Sequence, residues 1–287
     1  MSVAGVIREL LVRHLDTWTP GALHAARGAT FAQCWSGPAD PDTAEAALRA
    51  LAEFADRMRG RRLTVLLVAP STADAVRRLD AVQAELGTPA GLSVHAIDGD
   101  PDERLAVALK AAGAAGAPLL TYLDGAGSAA IQAAAAGKPA EVLLVGGTPV
   151  PSPFLLTARV EMVDDAGAQL VGFGTSLGKS LEAFKDALWA VDEYAGVRYR
   201  DPHDPEGHLL DISLQPHPGP LRRELLAKLA ADGACTVTEL RRFTLTDTVY
   251  RSADAVRAIT ALLQTGAVTR TPDRGRLSGD VLITPSP

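Results

Sequence analysis

Apolar and polar positions along the chain follow two spacings, one typical of helices and one typical of buried strands. Residues 63–68 are apolar apart from Thr64, which indicates a strand buried on both faces. Similar runs recur, each followed by a segment with apolar residues on one side. The predicted strands are 30–35, 63–68, 92–97, 119–123 and 141–145, and the predicted helices are 6–18, 43–58, 72–86, 101–112 and 129–136. This alternation predicts right-handed crossovers and a parallel sheet.

The pattern changes beyond the fifth strand. Residues 158–162 and 169–173 flank Asp164-Asp165-Ala166-Gly167, which predicts an antiparallel hairpin. A helix over 181–191 follows. Five parallel units closed by a late hairpin resemble the sheet of class I methyltransferases, and the hairpin separates them from dehydrogenase-type dinucleotide domains. The expected fold class is therefore α/β, with a Rossmann-like methyltransferase domain over residues 1–197.

The last third of the chain is organised differently. Residues 198–218 hold four prolines and His203, His208 and His217, and we predict a linker there. These histidines form no i,i+4 pair on a helix and have no cysteine partner, so no metal site is predicted. Residues 219–287 predict three helices and a β-hairpin, which are the parts of a winged helix-turn-helix domain. Its elements are 221–231, 238–243, 252–264, 267–271 and 281–284.

Composition and charge narrow the class of protein. The chain has 287 residues, and its 47% apolar content is ample for a core. No apolar run reaches the ~18 residues of a membrane span, and no signal peptide is recognisable. Cys34 and Cys235 are expected to be buried thiols, so a cytoplasmic protein is predicted. Residues 1–218 carry a net charge of −9, and residues 219–287 carry a net charge of +3. The positive charge of the second segment is too small to indicate nucleic-acid binding by itself.

Four motifs, taken in order, carry a resemblance to a known family. They are His14-Leu15-Asp16-Thr17-Trp18, Cys34-Trp35-Ser36-Gly37-Pro38, Tyr122-Leu123-Asp124-Gly125-Ala126-Gly127, and the segment from Phe184 to Asp192. With the winged helix, they make the chain similar to the three-Cys-motif partner proteins, a methyltransferase-like family encoded beside radical-SAM proteins. The resemblance implies S-adenosylmethionine (SAM) as the cofactor and a radical-SAM protein as a partner.

The first-strand motif departs from that family's pattern. The family typically has Asp-x-Phe-Ala-Gly-Pro-Gly, where this chain has Gln33, Trp35, Ser36, Gly37, Pro38 and Ala39 at the matching positions. The acidic residue usual at the end of strand two is replaced by Ala69-Pro70. A ribose diol is held by such a carboxylate, and losing it costs about 1–3 kcal/mol. The Cβ of Ala39 would also obstruct close backbone approach. SAM binding is therefore expected to be weak or absent.

The resemblance and the strand ends together give the candidate site. Gln33, Ser36, Gly37, Asp98 and Asp100 are the candidate cofactor-binding residues. Asp124 is the candidate catalytic residue, because a carboxylate there accepts a hydrogen bond from a substrate amine. Asp98 and Asp100 are equally consistent with helix N-caps before Pro101, and Asp124 with a cap or a glycine turn.

Three functions remain open from the sequence. The first is a SAM-dependent methyltransferase that acts on a nucleobase or a small molecule. The second is a catalytically inactive methyltransferase-fold scaffold, or pseudoenzyme. The third is DNA binding through the winged helix, with Arg251, Arg257, Arg274 and Arg276 as the candidate contacts. Asp254 adds a negative charge to the helix face that carries Arg251 and Arg257, and this disfavours binding of DNA phosphates. Protein contacts or homo-oligomerisation through the winged helix are therefore the favoured alternatives.

Overall fold

The computed structural model describes residues 2–87, 89–146, 153–191, 196–204 and 206–286. Asp192, the last residue of the fourth motif, lies outside them. The helices are α1 (Val3–Ala25), α2 (Pro41–Ala52), α3 (Ala73–Leu86), α4 (Pro101–Ala111), α5 (Ser128–Ala134), α6 (Gly178–Ala190), α7 (Gly219–Asp232), α8 (Val237–Asp247) and α9 (Ser252–Gln264). The strands are β1 (Gly28–Trp35), β2 (Arg62–Ala69), β3 (Leu92–Asp98), β4 (Leu119–Asp124), β5 (Ala140–Val145), β6 (Leu156–Asp164), β7 (Gly167–Thr175), β8 (Arg198–Arg200), β9 (Leu209–Asp211), β10 (Cys235–Thr236), β11 (Val268–Thr271) and β12 (Leu282–Pro285).

The main sheet has the order β3-β2-β1-β4-β5-β7-β6-β8-β9. Strands β1 to β5 are mutually parallel, and β7 pairs antiparallel with both β5 and β6. The prediction of an α/β fold with five parallel strands and a late hairpin is confirmed. The fold is methyltransferase-like, and the carboxyl ends of β1, β2, β3 and β4 meet at one edge, where such sheets bind ligands.

Two apolar layers cover the sheet. Leu10, Phe31 and Leu48 belong to the layer formed with α1 and α2, whereas Leu105 and Ile131 belong to the opposite layer with α4 and α5. All five residues are buried. Successive residues of a strand point to opposite faces of the sheet, and helices cover both faces, so each layer is enclosed between helices and sheet. Cys34 and Cys235 are free and buried, which confirms the prediction for the two thiols.

Helix α1 is longer than predicted. Thr19-Pro20-Gly21 was expected to end it, but the helix continues to Ala25 with Pro20 inside. A proline removes one helical hydrogen bond and costs about 3 kcal/mol. Ala22 and Leu23 are buried in the next turn, so their packing offsets that cost. In contrast, α2 ends at Ala52 and a short 3₁₀ turn occupies Ala55–Met58, where the helix was expected to continue.

Residues 198–218, predicted to be a linker, contribute β8 and β9 to the main sheet. The next segment forms a compact C-terminal unit, in which α7, α8 and α9 surround a sheet of order β10-β12-β11. Thr236 and Glu239 form a capping box at the start of α8. The main sheet thus extends to β9, which ends at Asp211, and the C-terminal unit begins with α7 at Gly219.

A buried lysine joins the two parts of the molecule. Lys185 on α6 is 1% exposed, and its Nζ donates to the carbonyl oxygens of Thr244 (3.2 Å), Thr248 (2.6 Å) and Tyr250 (2.9 Å). Trp189, one turn further on, donates through Nε1 to the carbonyl oxygen of Val249 at 3.2 Å. The last turn of α8 and the segment between α8 and α9 thus supply acceptors for two buried side chains of the main domain.

A second buried polar cluster ties α1 and α6 to β5. His14 Nε2 lies 2.8 Å from Glu141 Oε2, and the Ser180 hydroxyl donates to Glu141 Oε1 at 2.5 Å. His14 and Glu141 are both at most 3% exposed. Phe173 and Phe184 pack edge-on against the imidazole, so the pair lies in a largely apolar surrounding.

Candidate functional site

The turn after β1 lies at the carboxyl edge of the sheet. Backbone hydrogen bonds join it to the end of β4 and to the residues that follow β2. The Ser36 amide donates to the carbonyl oxygen of Asp124 at 2.9 Å, and the Ala39 amide donates to that of Ser71 at 3.0 Å. A Cβ placed on Gly37 would meet no atom within 4 Å, so this side of the turn is open. Ala39 is buried and belongs to the main apolar core.

Gln33 lies on β1, two residues before the strand ends at Trp35. Its side chain is fully buried, and neither amide atom has a hydrogen-bond partner in the described part of the chain. The same holds for the indole Nε1 of Trp35, whose ring centroid lies 6.0 Å from that of Tyr122. Gln33 and Trp35 thus place buried polar atoms without described partners on the last residues of β1.

Asp98 and Asp100 are both used by helix termini. Asp98 Oδ1 accepts from the amide of Thr72 at 2.9 Å and from its hydroxyl at 2.8 Å, at the start of α3. Asp100 is the N-cap of α4, and its Oδ1 accepts from the amide of Asp102 at 2.8 Å. The N-cap before Pro101 is therefore Asp100, whereas Asp98 does not cap that helix and instead accepts from Thr72. Both residues are exposed at the edge.

Asp124 is the half-buried carboxyl at the end of β4. Burial raises its pKa, the charge of Asp40 acts in the same direction, and a hydrogen bond from Tyr122 opposes them. Asp40 caps α2 and accepts from the Thr43 amide, and Arg8 lies 3.9 Å from its carboxylate. The edge thus holds two carboxyl groups, Asp40 and Asp124, whose charges affect one another.

The residues at this edge fit SAM poorly. Strand β2 ends in Ala69, which is fully buried and offers no side-chain acceptor for a ribose diol. The nearest carboxylate along the edge, on Asp98, already accepts two hydrogen bonds from Thr72. Two backbone amides of the β1 turn are bonded to protein carbonyls, and only the open side of Gly37 suits a close approach.

The arginines proposed for DNA contact fall into two groups. Arg251 bonds Asp254 and the carbonyl oxygen of Leu214, and Arg257 bonds Asp254 and the carbonyl oxygen of Pro216. Both therefore hold residues 214–216 against the start of α9. Arg274 and Arg276 lie in the exposed connection between β11 and β12. The structure thus brings Arg251 and Arg257 together around Asp254, whereas Arg274 and Arg276 lie on the β11–β12 connection.

A cavity of about 470 Å³ lies between the β8–β9 connection and helices α7 and α8. Carboxyl groups dominate its polar lining, with Phe243 and Ala227 among the apolar residues. Burial raises the pKa of Glu224 to about 7, and the charges of Asp201 and Asp204 add to the effect. Glu224 is thus a carboxyl whose burial opposes ionisation near neutral pH.

Glu224→Gln is expected to stabilise the protein at pH 8 by about 1–2 kcal/mol, a value that allows for partial exposure. The folded-state pKa lies above the unfolded value of 4.5, so wild-type stability is lost as pH rises from about 4.5 to about 7. Urea unfolding at pH 5 and pH 8 measures the difference. The exposed Glu103→Gln is the control, and an equal effect of both variants at both pH values would contradict the explanation.

Comparisons with known proteins add little beyond the fold. No family model matches the sequence, and no curated protein is significantly similar to it. A spermidine synthase from Thermotoga maritima is 10% identical with a TM-score of 0.36, over 61% of this chain and 62% of that one. The alignment thus spans about three fifths of that enzyme's length. A predicted O-methyltransferase from Agrobacterium tumefaciens is 15% identical with a TM-score of 0.33, over 58% of this chain and 81% of that one.

These similarities carry no conclusion about activity, and the methyltransferase-like description rests on the strand order. Among the described helices, none is long and apolar enough to cross a membrane. Three polar groupings escaped the sequence reasoning: Lys185 with its carbonyls, His14 with Glu141, and a cluster of Asp204, Glu206 and His208. Only the last had a local signal, the run Asp201-Pro202-His203-Asp204 followed by Glu206 and His208.

Proposed function

We propose that this chain is a methyltransferase-fold binding protein that does not transfer methyl groups from SAM. The observation that carries the proposal is the end of β2, where the buried Ala69 stands in the place of a ribose-binding carboxylate. Asp98 is a poor replacement for that carboxylate, because its Oδ1 already accepts from the amide and the hydroxyl of Thr72. Losing the hydrogen bonds between that carboxylate and the ribose lowers the affinity for SAM by about one or two decades. The backbone amides of the β1 turn that are bonded to protein carbonyls lower that affinity further.

In this proposal the C-terminal unit is a winged helix that makes protein contacts. Its α9 begins against residues 214–216, to which Arg251 and Arg257 are bonded, so that end of the helix does not suit a DNA groove. A radical-SAM protein is the partner suggested by the family resemblance, and a second copy of the chain is the alternative.

A SAM-dependent methyltransferase for a nucleobase or a small molecule is the second candidate. The open side of Gly37 and the half-buried Asp124 favour it, because together they leave room and one polar group at the right edge. In that case Asp124 would accept a hydrogen bond from the amine of the acceptor and orient it.

Calorimetry with SAM and S-adenosylhomocysteine separates the two candidates. We expect no saturable heat for the folded wild-type protein at ligand concentrations up to about 1 mM. Gly37→Ala is the matched variant, since the added methyl group meets nothing and the variant should fold normally. Micromolar binding that Gly37→Ala or Asp124→Asn weakens would overturn the binding-protein proposal in favour of the enzyme.

A further inference from the structure

One edge of the main sheet ends in a long strand whose outer side is open. β3 stands at the end of the sheet order and pairs with β2 in an uninterrupted register from Leu92 to Asp98. Its residues other than Leu92 are partly or fully exposed. The strand at the opposite edge, β9, is only three residues long. Within the described residues, β3 therefore presents a free edge of seven residues.

The backbone groups of β3 alternate between β2 and the open side. Gly91 accepts through its carbonyl oxygen and Gly99 donates through its amide to backbone groups of β2, both at 2.8 Å, so the odd-numbered residues bond β2. The amides and carbonyls of Val94 and Ala96 therefore point outward. Among the described residues, no hydrogen bond beyond the sheet ladder reaches these groups. They are free to bond a further strand.

β3 lacks the features that usually keep an edge strand from pairing with another chain. Such features are a lysine, a proline, a bulge or a very short length. The sequence of β3 is Leu-Ser-Val-His-Ala-Ile-Asp, and its register with β2 contains no bulge. Val107 adds an apolar side chain, 67% exposed, beside the strand, because it lies one turn after Arg104, whose side chain packs against Gly99.

The two ends of β3 carry opposite charge. Residues 55–62 carry four arginines and one aspartate, and the backbone of this turn packs against Gly91, directly before the strand. Residues 98–104, at the other end, carry four acidic residues and one arginine. A second copy in the antiparallel direction brings the positive end of one strand to the negative end of the other. The edge is therefore complementary to itself.

We propose that two copies of this chain associate by antiparallel pairing of their β3 strands, which joins the two sheets into one. Full overlap of the strands puts Leu92 opposite Asp98 and centres the pair on His95. The outward groups of Val94 then meet those of Ala96 on the other copy, so both sets are bonded. This surface is separate from the C-terminal unit, and the proposal does not depend on whether SAM binds.

Disulfide trapping tests the register. The two copies of His95 face each other in a non-hydrogen-bonded pair with Cα atoms about 4.5 Å apart, which suits a disulfide. His95→Cys should therefore give a covalent dimer under mild oxidation. Ser93→Cys is the matched control, because it lies on the same face of the strand but its two copies are about 14 Å apart. Cys34 and Cys235 are buried, so the wild-type protein should stay uncrosslinked.

Equal crosslinking in the two cysteine variants, or none in His95→Cys, would overturn the proposal. Thermal melts establish that each variant is folded.

Sedimentation equilibrium of the full-length protein tests the association itself. We expect a dimer with a dissociation constant below about 50 μM. Ala96→Pro removes an outward amide and leaves the ladder with β2 intact, so it should fold and weaken association at least tenfold. Ala96→Ser keeps that amide and should associate like the wild type. A wild-type protein that stays monomeric at about 200 μM, or an Ala96→Pro protein that dimerises as well as Ala96→Ser, would overturn the proposal.

Discussion

Lys185→Met is expected to lower the free energy of unfolding at pH 8 by about 3–4 kcal/mol. The substitution keeps an apolar chain of similar length but removes the nitrogen that lies within hydrogen-bond distance of the carbonyl oxygens of Thr244, Thr248 and Tyr250. At pH 8 this nitrogen is largely a neutral amine, whose two N–H groups serve the three acceptors. Each buried carbonyl without a partner costs about 1–3 kcal/mol, and Thr244 loses least because its carbonyl also accepts from the Thr248 hydroxyl. Urea unfolding, with m-values compared, measures the change.

The pH dependence tests the same explanation. Burial lowers the pKa of Lys185 to about 7, although Asp201 and Asp247 act in the opposite direction. The unfolded lysine titrates near 10.5, so between about pH 7 and pH 10 the unfolded state binds more protons and wild-type stability rises with pH. The rise is at most about 1.4 kcal/mol per pH unit and is absent in Lys185→Met. The cost of the substitution should therefore be larger at pH 9 than at pH 7.

Lys179→Met is the control for this prediction. Lys179 lies on the same helix in an exposed position, so its loss should change stability by no more than about 0.5 kcal/mol. Equal losses in the two variants, or a Lys185→Met protein as stable as wild type, would show that the carbonyl contacts do not hold the C-terminal unit.

Glu141→Ala is expected to cost about 3–5 kcal/mol. The variant leaves His14 Nε2 and the Ser180 hydroxyl without their acceptor in a site enclosed by Phe173 and Phe184, and it adds a small cavity. Glu141→Gln, which keeps the shape and one acceptor, should cost less, about 1–3 kcal/mol. Chemical denaturation followed by tryptophan fluorescence measures both.

The comparison variant is Glu85→Ala. Glu85 also forms an ion pair, with Arg49 Nη2 2.7 Å from its carboxylate, but its side chain is 60% exposed. An exposed pair contributes about 0–1 kcal/mol, so the two substitutions should differ severalfold. Similar losses in the two variants would contradict the view that burial decides the contribution of Glu141.

The parallel strands were predictable because their cause is local. The apolar run at 63–68 must be buried on both faces, and the structure pairs it with β1 and β3 in that way. Strands β8 and β9 were missed because each has only three residues, and their conformation depends on pairing, of β8 with β6 and of β9 with β8, rather than on their own pattern. The continuation of α1 through Pro20 likewise depends on packing that the local sequence does not encode.

The candidate site was predictable only in part, for a related reason. The position of Asp124 at a strand end followed from the sequence, and the structure places it there. The engagement of Asp98 by Thr72 could not be foreseen, because the partner lies 26 residues away on another loop. The pairing of His14 with Glu141 spans 127 residues. Polar contacts of this range depend on the assembled sheet.

The lysine that joins α6 to the segment before α9 has a bearing on how such proteins are dissected. A shortened version ending near residue 218 would keep Lys185 but lose all three oxygens around it. Removing that segment also takes away part of the cover of Lys185, so a previously buried polar group and its apolar surroundings would meet water. Loss of function in the fragment would include this change, so point substitutions in the intact molecule are the sounder route to assigning roles.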